Sequence, residues 1–227
     1  MTDSTSVPPA TEWRERVAAD YAKNRYTAGT SVSLAESLAI AACVADNRLE
    51  RTLEIGFAHA GSAAAIIAAK RSNAIFNRHI VLDPYQISHS GSRGLEVIEE
   101  LGYSDDLDFN EVPSEEYLPR CAGTFDFILI DGGHGLGQAM VDAFYCDRLL
   151  KIGGYMAVDD IFMPSTAHSL RFLIDECGYK VIPSGPSRPL RQLKYSFKLG
   201  VSYASKLGRS TEGLAILKKT RDYRGGY

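Results

Sequence analysis

The sequence predicts an α/β fold, a mostly parallel seven-stranded sheet with helices on both faces, and three observations carry that expectation. Short apolar runs, without the alternation of a half-exposed strand, recur from Arg51 onward, as strands covered on both faces require. Stretches with helical spacing separate them, the arrangement that crossovers in a parallel sheet need. Glycines and acidic residues stand where those runs end, among them Gly56, Asp83, Asp131 and Asp159.

The elements follow in order. A helix is expected over residues 13–25. A second opens with Ser33-Leu34-Ala35-Glu36, a capping box that satisfies free backbone donors, and places Leu34, Leu38, Ala41 and Ala45 on one face. Strands are expected at 51–55, 79–82, 108–112, 125–130, 155–158, 180–183 and 213–218. Helices are expected at 62–70, Ala-rich and so able to pack close, and at 95–101, 114–120, 136–150 and 164–177. Gly178 closes the last of these with a left-handed cap. No internal repeat or long linker interrupts the pattern. Residues 1–47 read as a tail and helices for covering substrate or forming an oligomer, and 48–227 as one sheet domain.

Composition narrows the partners. A chain of 227 residues with formal net charge -3 has no global pull toward nucleic acid or anionic membrane, which points to a small-molecule partner. Cys43, Cys121, Cys146 and Cys177 lack the spacing of a zinc or redox motif and read as reduced and buried. Residues 1–11 lack the basic start and apolar stretch of a signal peptide. The longest apolar stretch, 34–45, is interrupted and shorter than the ~20 residues of a membrane span. A cytoplasmic location is expected.

The chemistry should sit beyond the carboxyl ends of the strands, where loops and helix N-termini supply free donors. The turn from Glu54 to Ser62 places Gly56 and Gly61 five residues apart, a spacing unlike the dinucleotide G-x-G-x-x-G. Such glycines serve either a tight connection or close approach to a ligand. About twenty residues on, Asp83 ends the second strand, where a carboxylate can hold both hydroxyls of a ribose or simply open the turn at Pro84. Asp131, Asp159 and Asp160 can converge from neighbouring strand ends, and an oxygen-rich group of this kind suits Mg²⁺ or Mn²⁺. The alternative for Asp159 or Asp160 is a helix cap. His134 is expected to project into the same crevice, where an imidazole can serve as a general base. His59, His79, His89 and His168 read as surface or second-layer residues.

At these motifs the chain resembles the class I methyltransferases that use S-adenosylmethionine (SAM), and more narrowly a family with an Ile-Asp-Gly-x-His motif found in natural-product and sugar biosynthesis. The resemblance spans residues 48–177. It rests on Leu53-Glu54-Ile55-Gly56, Leu82-Asp83-Pro84-Tyr85-Gln86, Ser114, Phe125-Asp126-Phe127, Ile130-Asp131-Gly132-Gly133-His134, the stretch 150–154, and Asp159-Asp160. It implies a Rossmann-like methyltransferase domain over 48–227. It also implies that Glu54, Gly56 and Gly61 line the methionine part of SAM, that Asp83 holds the ribose and that Ser114 lies near adenine. Phe57, Ala58, Ser62, Pro84 and Asp131 are expected to border the cofactor as well. Metal-dependent catechol-type O-methyltransferases are similar at the same strand ends. There a lysine stands at the position of His134 and an asparagine at that of Asp160, and related antibiotic-sugar enzymes carry an Asp base at the position of Gly133.

The reading that follows is methyl transfer from SAM to a hydroxyl of a small molecule. A divalent ion on Asp131, Asp159 and Asp160 would lower the hydroxyl's pKa and His134 would take its proton. Metal-free N-methylation and a SAM-binding partner subunit without catalysis are the alternatives. Arg188, Arg191, Lys194, Lys198, Lys206 and Arg209, interleaved with Tyr195, Phe197 and Tyr203, suit either an anionic or aromatic acceptor or a solvated helix face. The resemblance also implies that the N-terminal helices can form a homodimer.

Overall fold

The computed structural model describes residues 12–24, 32–185, 203 and 206–222. Seven strands form one sheet: β1 (Thr52–Ile55), β2 (His79–Leu82), β3 (Leu107–Asn110), β4 (Phe125–Ile130), β5 (Leu150–Val158), β6 (Tyr179–Ile182) and β7 (Ala215–Lys219). Their order is β3-β2-β1-β4-β5-β7-β6, with β7 antiparallel between β5 and β6 and the other pairs parallel. The chain reverses its direction of winding between β1 and β4, which opens a crevice beyond their carboxyl ends. Register fixes what meets there. Ile55 lies opposite Leu82 and Ile130, and Ile130 opposite Val158, so the residues that follow these four strands emerge in one row.

Side chains alternate across the sheet because successive Cβ atoms point to opposite faces. Val81, Phe127, Leu129 and Ala157 join a core with helices α1 (Glu12–Asn24), α2 (Leu34–Asp46) and α3 (Gly61–Ser72). Leu82, Ile128, Ile130, Met156 and Val158 face Ala143, Cys146 and Leu149 of a helix at Leu136–Leu149, and Ala167 and Leu170 of another at Pro164–Arg171. Helix α3 is buried from Gly61 to Lys70, since the sheet covers one side and α1 and α2 the other; its alanines permit this double contact. Burial of Ile66 and Ile67, each about 1.5–3 kcal/mol, anchors the sandwich.

The capping box of α2 is present: Glu36 N donates to Ser33 Oγ (3.2 Å) and Ser33 N to Glu36 Oε2 (2.9 Å). The expected face of α2 is shifted, however. Leu34 and Leu38 are half-buried while Ser37, Ile40, Ala41 and Val44 are enclosed, because α1 and α3 pack on the helix from two sides. Strand β5 begins earlier than expected, at Leu150. It pairs with Phe125 and then, after an irregularity, pairs Tyr155 with Phe127; Gly153 takes a positive φ of 86° in between. The helix expected to run to 177 is α-helical to Arg171 and widens to π geometry over Phe172–Glu176.

All four cysteines are free, and Cys121 is half-buried rather than enclosed like the other three, because it sits where the chain returns to the surface before β4. Among the described residues no helix is long and apolar enough to cross a membrane. The expected tail 1–11 and most of the basic run 188–209, including Arg188, Arg191, Lys194, Tyr195, Phe197 and Lys198, lie outside the described residues.

Candidate active site

The loop 56–60 between β1 and α3 is shaped by backbone demands that its sequence meets at some cost. Gly56 has φ +90°, and a Cβ there would lie 2.0 Å from the carbonyl oxygen of Asp131, so glycine is required on both counts. Ala58 and Ala60 also take positive φ, at 42° and 62°, a region non-glycine residues rarely occupy. Asp83 holds the loop: its Oδ2 accepts from Phe57 N and Ala58 N, both at 3.1 Å, and its Oδ1 accepts from Tyr85 N at 2.8 Å. Gln86, fully buried, donates to Ala58 O (3.1 Å). The first turn of α3 is enclosed, yet no side chain caps it, which leaves buried backbone donors facing the crevice. A strained, braced loop leading to an uncapped helix N-terminus suits an anionic group such as a ligand carboxylate.

Several residues expected at the cofactor act from behind this loop. Glu54 is fully buried; Oε1 accepts from Ser62 Oγ (2.5 Å) and Oε2 meets His79 Nε2 (2.8 Å). The ring's other nitrogen meets Thr52 Oγ1 (2.9 Å), and Lys70 Nζ reaches Thr52 Oγ1 (3.4 Å) and Asn77 O. Burial lowers Lys70 to about 8. His79 is therefore a fully enclosed core residue and not a surface one, because β2 delivers it between β1 and α3. Phe57 packs its ring toward Phe109, at 5.4 Å between centroids, and offers the crevice its backbone alone.

The acidic strand ends divide differently from the expected trio. Ligating atoms of Asp131, His134 and Asp160 lie within 4.8 Å of one another, with His134 Nε2 2.9 Å from Asp160 Oδ2. Asp159 lines the same small cavity as Asp131 and His134 and also lies near Glu36: a Cβ on Gly213 would lie 3.4 Å from Asp159 Oδ1 and 3.5 Å from Glu36 Oε1. The group whose ligating atoms lie this close is thus Asp131, His134 and Asp160, with Asp159 beside it, because consecutive residues after a strand diverge and Asp160 turns back at φ +50°. Burial, then Asp159, Glu54, Asp160 and Glu36, pushes the Asp131 carboxyl well above its ordinary range; burial, then Glu36, raises Asp159 to about 7. Two carboxylates and an imidazole at this separation fit a divalent ion, and an imidazole gripped by a carboxylate equally fits a proton acceptor.

Sequence reasoning missed Glu36 as a site neighbour. Its capping role was legible, but its second oxygen accepts from Gly213 N (2.8 Å) and so ties α2 to the segment before β7. It also missed Gln138 and Asp142. Ser114, the expected neighbour of adenine, donates to Asp142 Oδ1 (2.5 Å) and accepts from Gln138 Nε2 (2.6 Å). A polar pair on an otherwise apolar helix face was the available signal.

Residues 53–161 match the model of a family described as a methyltransferase domain. Over that stretch the chain is similar to methyltransferase domains. Solved structures share its fold across nearly its whole length. Cofactor-bound Rv0187 from MTB aligns with a TM-score of 0.67 at 16% identity, covering 92% of this chain and 91% of that one. The methyltransferase PaMTH1 of Podospora anserina, bound to S-adenosylhomocysteine (SAH), gives 0.63 at 16% identity over 91% and 88%. An O-methyltransferase from Bacillus cereus in complex with SAH gives 0.60 at 12% over 95% and 94%. Among curated proteins none matches the sequence significantly. In this chain the glycine turn, Asp83, Asp131 and Asp159 directly follow β1, β2, β4 and β5, whose ends lie side by side at the reversal of winding.

Proposed function

We propose that this chain is a class I SAM-dependent methyltransferase that transfers the methyl group of SAM to a hydroxyl of a small molecule, with His134 as the group that takes the proton. The supporting observation is the His134–Asp160 pair at 2.9 Å, standing beside Asp131 at the row of strand ends next to the glycine turn. Asp160 orients the imidazole and stabilises it once protonated; His134 is about half exposed, open to an acceptor. The uncapped start of α3 takes the carboxylate of SAM and Asp83 keeps one lone pair of Oδ1 for a ribose hydroxyl, after bracing the loop with the rest. Pro84, Ser114 and Gly61 complete the walls. Displacement at the methyl carbon needs mainly that oxygen and carbon be held in line.

The second reading adds a divalent ion. Asp131, His134 and Asp160 would hold it, and it would supply a lowered hydroxyl pKa to the acceptor. In that case His134 is a ligand and not a base, and Asp159 lies outside the group of three that would hold the ion. The O-methyltransferase TomG from Streptomyces achromogenes, involved in tomaymycin synthesis and solved with SAM, shares the fold and lends weight to a natural-product hydroxyl as acceptor. The basic run with Lys206 and Arg209 favours an anionic or aromatic one.

The test is calorimetric titration of SAM, followed by Mg²⁺ and Mn²⁺ in the presence of SAH, on wild type and His134→Gln, with turnover measured with and without a chelator. SAH binding that survives the substitution, with kcat reduced about 10²–10⁴-fold and no chelator effect, supports the base. Metal binding lost in His134→Gln supports the ion. Absence of SAM binding in wild type overturns the reading.

A further inference from the structure

Asp142 is a buried carboxylate that the chemistry above does not use. It sits on the helix at Leu136–Leu149, 1% exposed, with no cation among its partners in the described residues. Its Oδ1 accepts from Ser114 Oγ (2.5 Å) and from Gln138 Nε2 (3.1 Å), and Gln138 also donates to Ser114 Oγ and to Glu115 Oε2 (3.1 Å). Among the described residues its Oδ2 has no hydrogen-bond partner, and a Cβ placed on Gly132 would lie 3.6 Å from it. Burial raises the carboxyl to about 6, against the pull of Ser114 and Gln138. A helix facing the sheet would be more stable with an apolar residue there, so the carboxylate calls for an explanation.

Placement supplies one. Ser114 and Glu115 follow β3, whose last residue pairs with the last residue of β2; Asp83 N donates to Asn110 O (3.2 Å), which seats this segment beside the ribose carboxylate. Gln138 belongs to the first turn after the loop 132–135 that leaves β4. These are two walls of one cleft, contributed by different crossovers, and Asp142 reaches both. We propose that Asp142 is a positioning residue for the nucleoside end of bound SAM, clamping Ser114 and Gln138 together and abutting the loop 132–135 at Gly132. The proposal rests on the reading of Ser114 as a neighbour of adenine.

The clamp works through acceptance of two hydrogen bonds at a single oxygen, so the side chain needs one carbonyl-type oxygen in place more than it needs charge. Asn at this position keeps that oxygen; Leu of similar volume removes it and frees Ser114 and Gln138 to take other rotamers. Adenosine carries the affected end of the cofactor alone, and SAH carries both ends.

The experiment measures dissociation constants of SAH and adenosine for wild type, Asp142→Leu, Asp142→Asn and Ser114→Ala, with thermal stability followed in parallel. Asp142→Leu is expected to weaken both ligands by the same factor of about 10. Asp142→Asn should restore binding to within about threefold, and Ser114→Ala combined with Asp142→Leu should be no worse than Asp142→Leu alone. Should Asp142→Leu fail to fold, Gln138→Leu and Ser114→Ala replace it, with losses in adenosine affinity that do not add. SAH weakened with adenosine unchanged, or Asn as damaging as Leu, overturns the clamp. Wild type that binds neither ligand overturns the SAM reading itself, and the clamp with it.

Discussion

Replacing His79 by Leu tests the idea that the cofactor loop is braced from inside the core. The imidazole is fully enclosed and joins Thr52 Oγ1 at 2.9 Å to Glu54 Oε2 at 2.8 Å. Leucine fills the volume but leaves Glu54 Oε2 buried without a donor, while Ser62 still serves Oε1. A stranded acceptor costs about 1–3 kcal/mol when neutral and more when ionised, so a loss of about 3 kcal/mol or more is expected. Glu54→Gln with His79 intact should cost less, because the amide can still pair with both Ser62 and the ring. The assay is urea unfolding at fixed pH, with SAH affinity measured on the folded fraction. The loop is expected to loosen as well, since Ser62 opens α3. A loss in His79→Leu below about 1 kcal/mol, or one no greater than in Glu54→Gln, would refute the brace.

Three further outcomes can be measured on the same preparations. Asp142 has a folded pKa of about 6 against an ordinary 3.8, so the stability it contributes is fully present below pH 3.8 and lost as pH rises through 6. At about 1.36 kcal/mol per pH unit the loss is about 3 kcal/mol, and Asp142→Asn should flatten the unfolding free energy across pH 4–6 by that order. Glu36→Ala strands Ser33 N and Gly213 N together and should cost about 2 kcal/mol in thermal or urea unfolding, with Glu36→Gln costing less. Gly56→Ala forces a Cβ to within 2.0 Å of Asp131 O and should abolish either folding or SAH binding, seen by circular dichroism and calorimetry.

The sequence by itself determined the fold class and the row of strand ends. Apolar runs such as Phe125–Ile130 are long enough and uniform enough to be buried on both faces, and carboxylates directly after β2, β4 and β5 mark the end at which ligands gather. The capping box at Ser33 and the glycine demanded at position 56 are local, so they too were legible. Side-chain pairing is not local. Asp131, Asp159 and Asp160 look equivalent along the chain, but the turn at Asp160 sends it to His134 and leaves Asp159 near Glu36, which lies more than a hundred residues away in sequence. Likewise His79 and Asp142 read as unremarkable positions until β2 places one against Glu54 and the packing of a helix on the sheet places the other against Ser114. Periodicity fixes which face a residue occupies, because it depends on neighbours along the backbone; which partner waits on that face depends on the crossovers, and only the tertiary structure decides it.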